Sequence, residues 1–238
     1  MTLYLMEDFK ELTNKELKNN KTIKDFSFIE FSIKFLEDLK VKIYIGDNIE
    51  SIKDLLKLID FSTNIISIDS EGHTKNDALL IQLSFKQKNE YYTFILKYNC
   101  LKCKKEIDTF LMQKHIFICY FDRMSEIKHI TCLNNKKTNY IDVQELYTSL
   151  LKKHINFKGK KVGLKKLFEY LYITPYNLNK EGYCLNVNVK ENLDSKFYEL
   201  DNFNINKLTK LYTIYCVIDP LFTLSLYMYF ISNKEFFI

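Results

Sequence analysis

The stretch Ile65-Ile66-Ser67-Ile68-Asp69-Ser70-Glu71 decides how this chain is read. Its apolar, β-branched start reads as a buried strand from Ile65 to Asp69. Side chains alternate along a strand, so Asp69 and Glu71 share one face at its end. Carboxylates beside apolar surface are costly unless they are paired or bind a metal ion. Alone, an Asp-x-Glu is a weak signal; it suggests a divalent-metal site only with a third carboxylate from another element.

Two further strands are expected just downstream, Ala78–Phe85 and Tyr91–Tyr98, with the polar segment Lys86–Glu90 turning one into the other. Helix Lys104–Gln113, strand His115–Phe121 and helix Ser125–Thr131 follow, then a short strand reaching Asp142 and helices over the remainder. Upstream, Val41–Gly46 reads as a strand. The next segment is an amphipathic helix with Ile49, Ile52, Leu55, Leu56 and Ile59 on one face. Residues 1–40 read as two short helices, with Phe26, Ile29, Ile33 and Leu36 as their apolar stripe.

A second acidic motif, Tyr215-Cys216-Val217-Ile218-Asp219, lies near the far end of the chain. On a helix this spacing places the phenol and the carboxylate on one face, one turn apart. Leu211–Ile231 is apolar enough to suggest a membrane span, but Asp219-Pro220 stands at its centre, so a buried core helix is expected. Proline inside a helix costs about 3 kcal/mol yet is tolerated at the first helical position. Asp219 is therefore expected to cap a new helix starting at Pro220, with the chain bending there.

Taken together, these motifs resemble the DEDD family of 3′–5′ exonucleases, in the subclass with a tyrosine in its last motif. Ribonuclease D-like and Egalitarian-like exonuclease domains belong to that subclass. Leu80-Ile81-Gln82-Leu83-Ser84, Asp142-Val143-Gln144 and Gly163-Leu164-Lys165-Lys166-Leu167 also match, in order, so the resemblance covers about Val41 to the C-terminus. It implies an α/β ribonuclease H-like fold: a mixed five- to six-stranded sheet flanked by helices. The strand and helix order read above agrees with that. The chain then divides into a helical N-terminal extension (1–40) and an exonuclease domain (41–238).

The resemblance also implies chemistry. Two Mg²⁺ or Mn²⁺ ions, about 3.5–4 Å apart, would serve phosphodiester hydrolysis. Asp69 would bridge both ions, Glu71 and Asp219 would complete the site, and Tyr215 would orient the attacking water. The fourth carboxylate has two claimants in Phe117-Ile118-Cys119-Tyr120-Phe121-Asp122-Arg123-Met124-Ser125-Glu126. Asp122 has the expected residue type, but the charged Glu126 stands four positions on, where relatives carry an apolar residue. Glu126 has Ile130 in that place and a better-fitting distance to Asp142, and it is favoured. Its extra methylene displaces the carboxylate by more than about 1 Å, enough to perturb metal binding.

The 238 residues are 47% hydrophobic with a net charge of +5, which excludes a disordered chain and suits a polyanionic partner. Lysine outnumbers arginine heavily (Arg123 is the only arginine), a composition expected of AT-rich coding sequence. No secretory signal is recognisable, and six cysteines without a regular framework suggest a reducing, intracellular location, cytoplasmic or nuclear. Lys152, Lys153 and the run containing Lys158, Lys160 and Lys161 form a basic cluster able to grip phosphates. His73 could touch substrate, although a plain loop histidine is the simpler reading. Cys100 and Cys103 with His115 and Cys119 imitate zinc spacing. On a strand, however, His115 and Cys119 would stand roughly 13 Å apart, so structural cysteines are expected. Asp142 and Gln144 are expected at a buried strand end, supporting the site without joining it. Tyr176–Asn206 reads as a long surface loop, and the tryptophan and Arg-Pro-Leu of close relatives are missing there.

The resulting expectation is a metal-dependent 3′–5′ exoribonuclease that acts on single-stranded RNA, with DNA as a possible substrate, and releases nucleoside 5′-monophosphates. No membrane association is expected, and the N-terminal extension could recruit a protein partner. The alternative is a catalytically degenerate exonuclease-fold module that serves as an RNA-binding or protein-interaction scaffold.

Overall fold

The computed structural model describes residues 2–4, 39–60, 63–72, 78–135, 139–155, 158–164, 167 and 210–232. Its framework is a mixed sheet of seven strands: β1 (Thr2–Tyr4), β2 (Lys42–Gly46), β3 (Ile65–Glu71), β4 (Leu80–Gln87), β5 (Glu90–Lys97), β6 (Phe117–Tyr120) and β7 (Tyr140–Asp142). The spatial order is β1-β2-β5-β4-β3-β6-β7. Strands β3, β4 and β5 form the expected antiparallel meander, while β2 runs parallel to β5, and β6 and β7 extend the sheet in parallel beyond β3. Five α-helices are seen among the described residues: α1 (Ile49–Leu58), α2 (Leu101–Leu111), α3 (Arg123–His129), α4 (Val143–Ile155) and α5 (Lys210–Ser232).

Local chemistry explains the joints. Glu90 pairs with Gln87, so the hairpin between β4 and β5 has only Lys88 and Asn89 at its tip, both at positive φ (50° and 66°). That is the turn geometry whose twist suits adjoining strands. Helix α1 starts on a reciprocal cap. The Ser51 amide donates to Asn48 Oδ1 (3.0 Å), and the Asn48 amide donates to Ser51 Oγ (3.2 Å). Helix α2 begins three residues earlier than expected, because the Cys100 thiol takes the capping role and accepts the Cys103 amide at 3.5 Å.

Sheet alternation sorts the interior into two layers. Ile66 and Ile68 of β3, Ile81 and Leu83 of β4, and Phe94 and Leu96 of β5 pack with residues of α1, α2 and α3 in one large apolar core. The opposite strand faces carry Ser67, Asp69 and Glu71, then Gln82 and Ser84, then Thr93, and all but Asp69 are fully buried. Helix α5 lies across that polar face, reaching β3, β4, β5 and β6. The acidic site is thus built where the sheet's polar face meets α5.

Two expectations need correction. Residues 2–4 are a strand, pairing antiparallel with β2 through Leu3 and Tyr44, where short helices were anticipated; the rest of the expected helical extension lies outside the described residues. The break at Pro220 is absent, and α5 runs unbroken from Lys210 to Ser232. Packing along four strands outweighs the roughly 3 kcal/mol cost of an interior proline. Within the helix the Thr223 hydroxyl donates to the Asp219 carbonyl (2.9 Å), across the turn that holds Pro220, and from α4 the Tyr147 hydroxyl ties the helix down by donating to the Leu226 carbonyl (2.8 Å). Among the described residues, no helix is long and apolar enough to cross a membrane.

Candidate metal centre

Strand β3 delivers Asp69 and Glu71 to the same face, and α5 brings Asp219 down onto them. One carboxylate oxygen from each of the three lies within 4.8 Å of the others. The strand ends where it does because Gly72 adopts φ +68°, turning the chain while the Leu79 amide donates back to the Glu71 carbonyl at 3.0 Å. A Cβ on Gly72 would meet Leu79 Cδ1 at 2.7 Å, so this corner requires glycine both for its conformation and for space.

The centre carries dense negative charge in a dry setting. Asp69 as a residue is half-buried, yet its Oδ2 is sealed from solvent and has no hydrogen-bond partner. Burial first, then the charges of Glu126, Asp219 and Glu71, push its carboxyl well above the ordinary aspartate range. The buried Cys216 thiol is likewise pushed up, by burial and then by Glu71, Asp69 and Asp219. An unpartnered buried oxygen among crowded carboxylates is the donor set that a hard divalent cation such as Mg²⁺ or Mn²⁺ satisfies. The residues present therefore fit such an ion.

Glu126 and Asp122 occupy different settings. Glu126, on α3, is buried (7% exposed) and its Oε2 accepts the Ser70 hydroxyl at 2.6 Å. Burial raises its carboxyl to about 8. The charges of Glu71, Asp122 and Asp219 add to the rise, and the Ser70 bond opposes it. Glu126 adjoins the cluster but is not one of the three whose oxygens converge. Asp122 sits at the N-cap of α3 without a side-chain capping bond, and its Oδ1 pairs with Lys161 Nζ at 3.4 Å.

Asp142 ends β7, whereas Gln144 falls in the first turn of α4 and not on the strand end expected for it. Asp142 accepts the Arg123 amide on Oδ2 (2.9 Å) and the Glu145 amide on Oδ1 (3.0 Å), so one carboxylate ties the starts of α3 and α4 to the end of β7. Gln144 donates from Nε2 to the Val162 carbonyl at 3.0 Å and holds the segment that carries Lys160 and Lys161. Lys158, Lys160 and Lys161 are exposed, and Lys152 Nζ reaches the Lys160 carbonyl at 3.4 Å. Tyr215 belongs to α5, one turn before Asp219, while its side chain, like His73 and Tyr176–Asn206, lies outside the described residues. Cys100, Cys103 and Cys119 are free thiols; burial raises Cys103 to about 12.

Sequence reasoning missed Ser70 and Cys216 as neighbours of the centre. Ser70 carried a weak signal, since it is the residue inside the Asp-x-Glu motif and strand alternation sends it to the opposite face. Cys216 carried none.

Neither a protein-family model nor a curated protein matches the sequence. Solved structures do match. The Nibbler EXO domain of Aedes aegypti aligns with 78% of this chain and 85% of its own, at 14% identity and a TM-score of 0.50. The catalytic core of RRP6 from Trypanosoma brucei aligns with 81% of this chain and 48% of its own, at 15% identity and a TM-score of 0.46. Escherichia coli RNase D, an exoribonuclease involved in structured RNA processing, aligns with 80% of this chain and 44% of its own, at 15% identity and a TM-score of 0.48. The chain thus spans about half the length of the last two. With its mixed sheet and flanking helices, it has an α/β ribonuclease H-like fold, the fold it shares with the Nibbler EXO domain.

Proposed function

We propose that this chain is a metal-dependent 3′–5′ exonuclease that acts on the end of single-stranded RNA and releases nucleoside 5′-monophosphates. The observation that carries the proposal is the convergence of Asp69, Glu71 and Asp219, from two elements far apart in sequence, around a buried and unpartnered Asp69 oxygen. Two bound Mg²⁺ or Mn²⁺ ions would supply Lewis-acid stabilisation of the charge that develops on the attacking and leaving oxygens. Asp69, Glu71 and Asp219 hold those ions, with Glu126 as the fourth carboxylate beside them. Tyr215, one turn before Asp219, orients the attacking water as a hydrogen-bonding phenol, since a group of ordinary pKa near 10 is a poor base. Lys158, Lys160 and Lys161 attract the phosphate backbone, and His73, next in sequence after Gly72, would add a substrate contact.

The test is incubation of 5′-labelled single-stranded RNA, with and without Mg²⁺ or Mn²⁺, comparing wild type with Asp69→Ala. A metal-dependent ladder of single-nucleotide steps that vanishes in the variant is expected. An intact RNA with wild type and metal overturns the proposal. The same assay on single-stranded DNA sets the sugar preference.

One observation favours the second reading, a catalytically degenerate module that binds RNA or a protein partner. Glu126 is engaged with Ser70 and stands outside the three converging carboxylates, in the place where a shorter aspartate would be expected. Metal-independent, salt-sensitive retention of uncut RNA is the outcome this reading requires.

A further inference from the structure

Gln82 stands directly opposite Asp69 in the antiparallel register of β3 and β4. Directly opposed side chains share a face, with Cβ atoms about 4.5–5.5 Å apart. Gln82 is completely buried, and neither its Oε1 nor its Nε2 has a hydrogen-bond partner. The Cys216 thiol approaches it from α5, but a thiol is too weak a donor and acceptor to satisfy an amide. Its neighbours on the same face fare differently: Ser84 Oγ and Thr93 Oγ1 satisfy each other at 2.7 Å. A fully buried amide with both ends unmet is rare in folded proteins and calls for a partner. Asp69 Oδ2 is the complementary orphan, a buried acceptor on the facing residue of the neighbouring strand.

We infer that Gln82 is a positioning residue for the metal centre: its amide N–H holds the Asp69 carboxylate, directly or through one buried water, in the orientation a divalent cation requires. This rests on reading Asp69, Glu71 and Asp219 as a cation site. The physical reasoning is that a carboxylate fixed by a neighbouring donor presents its oxygens to the cation without rotational freedom, and partners of this kind commonly change metal affinity about 10–100-fold. An amide retained only for packing has no such effect, because an apolar side chain of similar volume would fill the space with no unmet polar atoms.

The test uses the full chain, with Mn²⁺ alone as the probe and free Mn²⁺ followed by electron paramagnetic resonance. Wild type, Asp69→Asn and Gln82→Leu are compared, and the metal-free chains are melted in parallel. Saturable Mn²⁺ binding by wild type that Asp69→Asn abolishes establishes the cation site. Gln82→Leu is then expected to weaken Mn²⁺ binding about 10–100-fold while the metal-free chain melts no lower than wild type. Unchanged affinity in Gln82→Leu overturns the inference and leaves the cation site standing. Absence of saturable binding by wild type overturns both. If Gln82→Leu fails to fold, Gln82→Met, unbranched and closer in shape, takes its place. Failure of that variant to fold also overturns the inference, because the amide would then be a structural requirement.

Discussion

The Ser70 hydroxyl and the Glu126 carboxylate meet at 2.6 Å across the end of β3, although they are 56 residues apart. Ser70 lies between Asp69 and Glu71, so its side chain leaves from the opposite face of the strand. The bond therefore pins α3 against the strand that carries the two acids, and it places a fourth carboxyl close to three others without merging it with them.

The first prediction follows from this crowding. The Glu126 carboxyl is raised to about 8 in the folded chain, against 4.5 as its ordinary value. A raised carboxyl gives stability that is fully present below the ordinary value and is lost as pH climbs through the raised one. The metal-free chain is therefore expected to lose on the order of a few kcal/mol between about pH 4.5 and 8 from this group. Glu126→Gln removes the need to ionise in a dry setting, so its melting temperature should fall less over that window. Melting curves collected at half-unit pH steps decide it, and parallel curves for the two proteins would refute the assignment.

Asp69→Asn should separate stability from function. The amide keeps the shape of the side chain and removes a buried charge facing Glu126, Asp219 and Glu71. Without metal, the variant is expected to melt increasingly above wild type as pH rises, and to converge with it in acid, where Asp69 is protonated in both states. With metal, RNA hydrolysis should fall by roughly a hundredfold or more. A variant that is both less stable and fully active would contradict this.

Cation binding should release protons. Asp69 and Glu126 both hold their protons more tightly than ordinary carboxyls, and a metal ligand must be ionised. Calorimetric titration of Mg²⁺ near pH 7, repeated in buffers of different ionisation heat, should report net proton release that shrinks above about pH 8. Saturating metal at about 100 times Kd should stabilise the fold by about 2.7 kcal/mol.

The legible part of this molecule was the part set by short-range periodicity. Alternation in Ile65–Glu71 placed two acids on one face, and the 3.6-residue repeat placed Asp219 one turn beyond Tyr215. Both patterns depend only on neighbours in sequence. The illegible parts depended on distant partners. Pro220 looks like a helix start when read alone, and only the four strands beneath α5 explain why the helix continues through it. The Thr2–Tyr4 strand has no strand signal of its own and exists through its pairing with β2. The Ser70–Glu126 bond likewise joins two residues that no spacing rule connects. Cys100 as a helix cap fell outside the usual Ser, Thr, Asp and Asn signals.

Gly72→Ala should damage the centre from its backbone. Residue 72 sits at φ +68°, where a Cβ costs about 1–2 kcal/mol, and the added methyl would also collide with the Leu79 side chain. A loss of that size lowers the melting temperature by about 2–8 °C in a chain of this length. Because Glu71 immediately precedes this corner, Mn²⁺ affinity should fall as well. Wild-type affinity in a destabilised variant would show that the end of β3 tolerates displacement.

Lys161→Ala addresses the basic rim. The Lys161–Asp122 pair spans 3.4 Å between side chains that are 44% and 36% exposed, so screening leaves it worth less than about 1 kcal/mol. Stability should therefore stay within about 0.5 kcal/mol of wild type. Affinity for single-stranded RNA should weaken nonetheless, and the slope of log affinity against log salt should become shallower by about 0.7, the share of one phosphate contact. Binding isotherms at four salt concentrations measure that slope. If affinity falls and the slope stays constant, Lys161 acts by restraining Asp122 at the start of α3. If both hold constant, the RNA takes a path that avoids this rim.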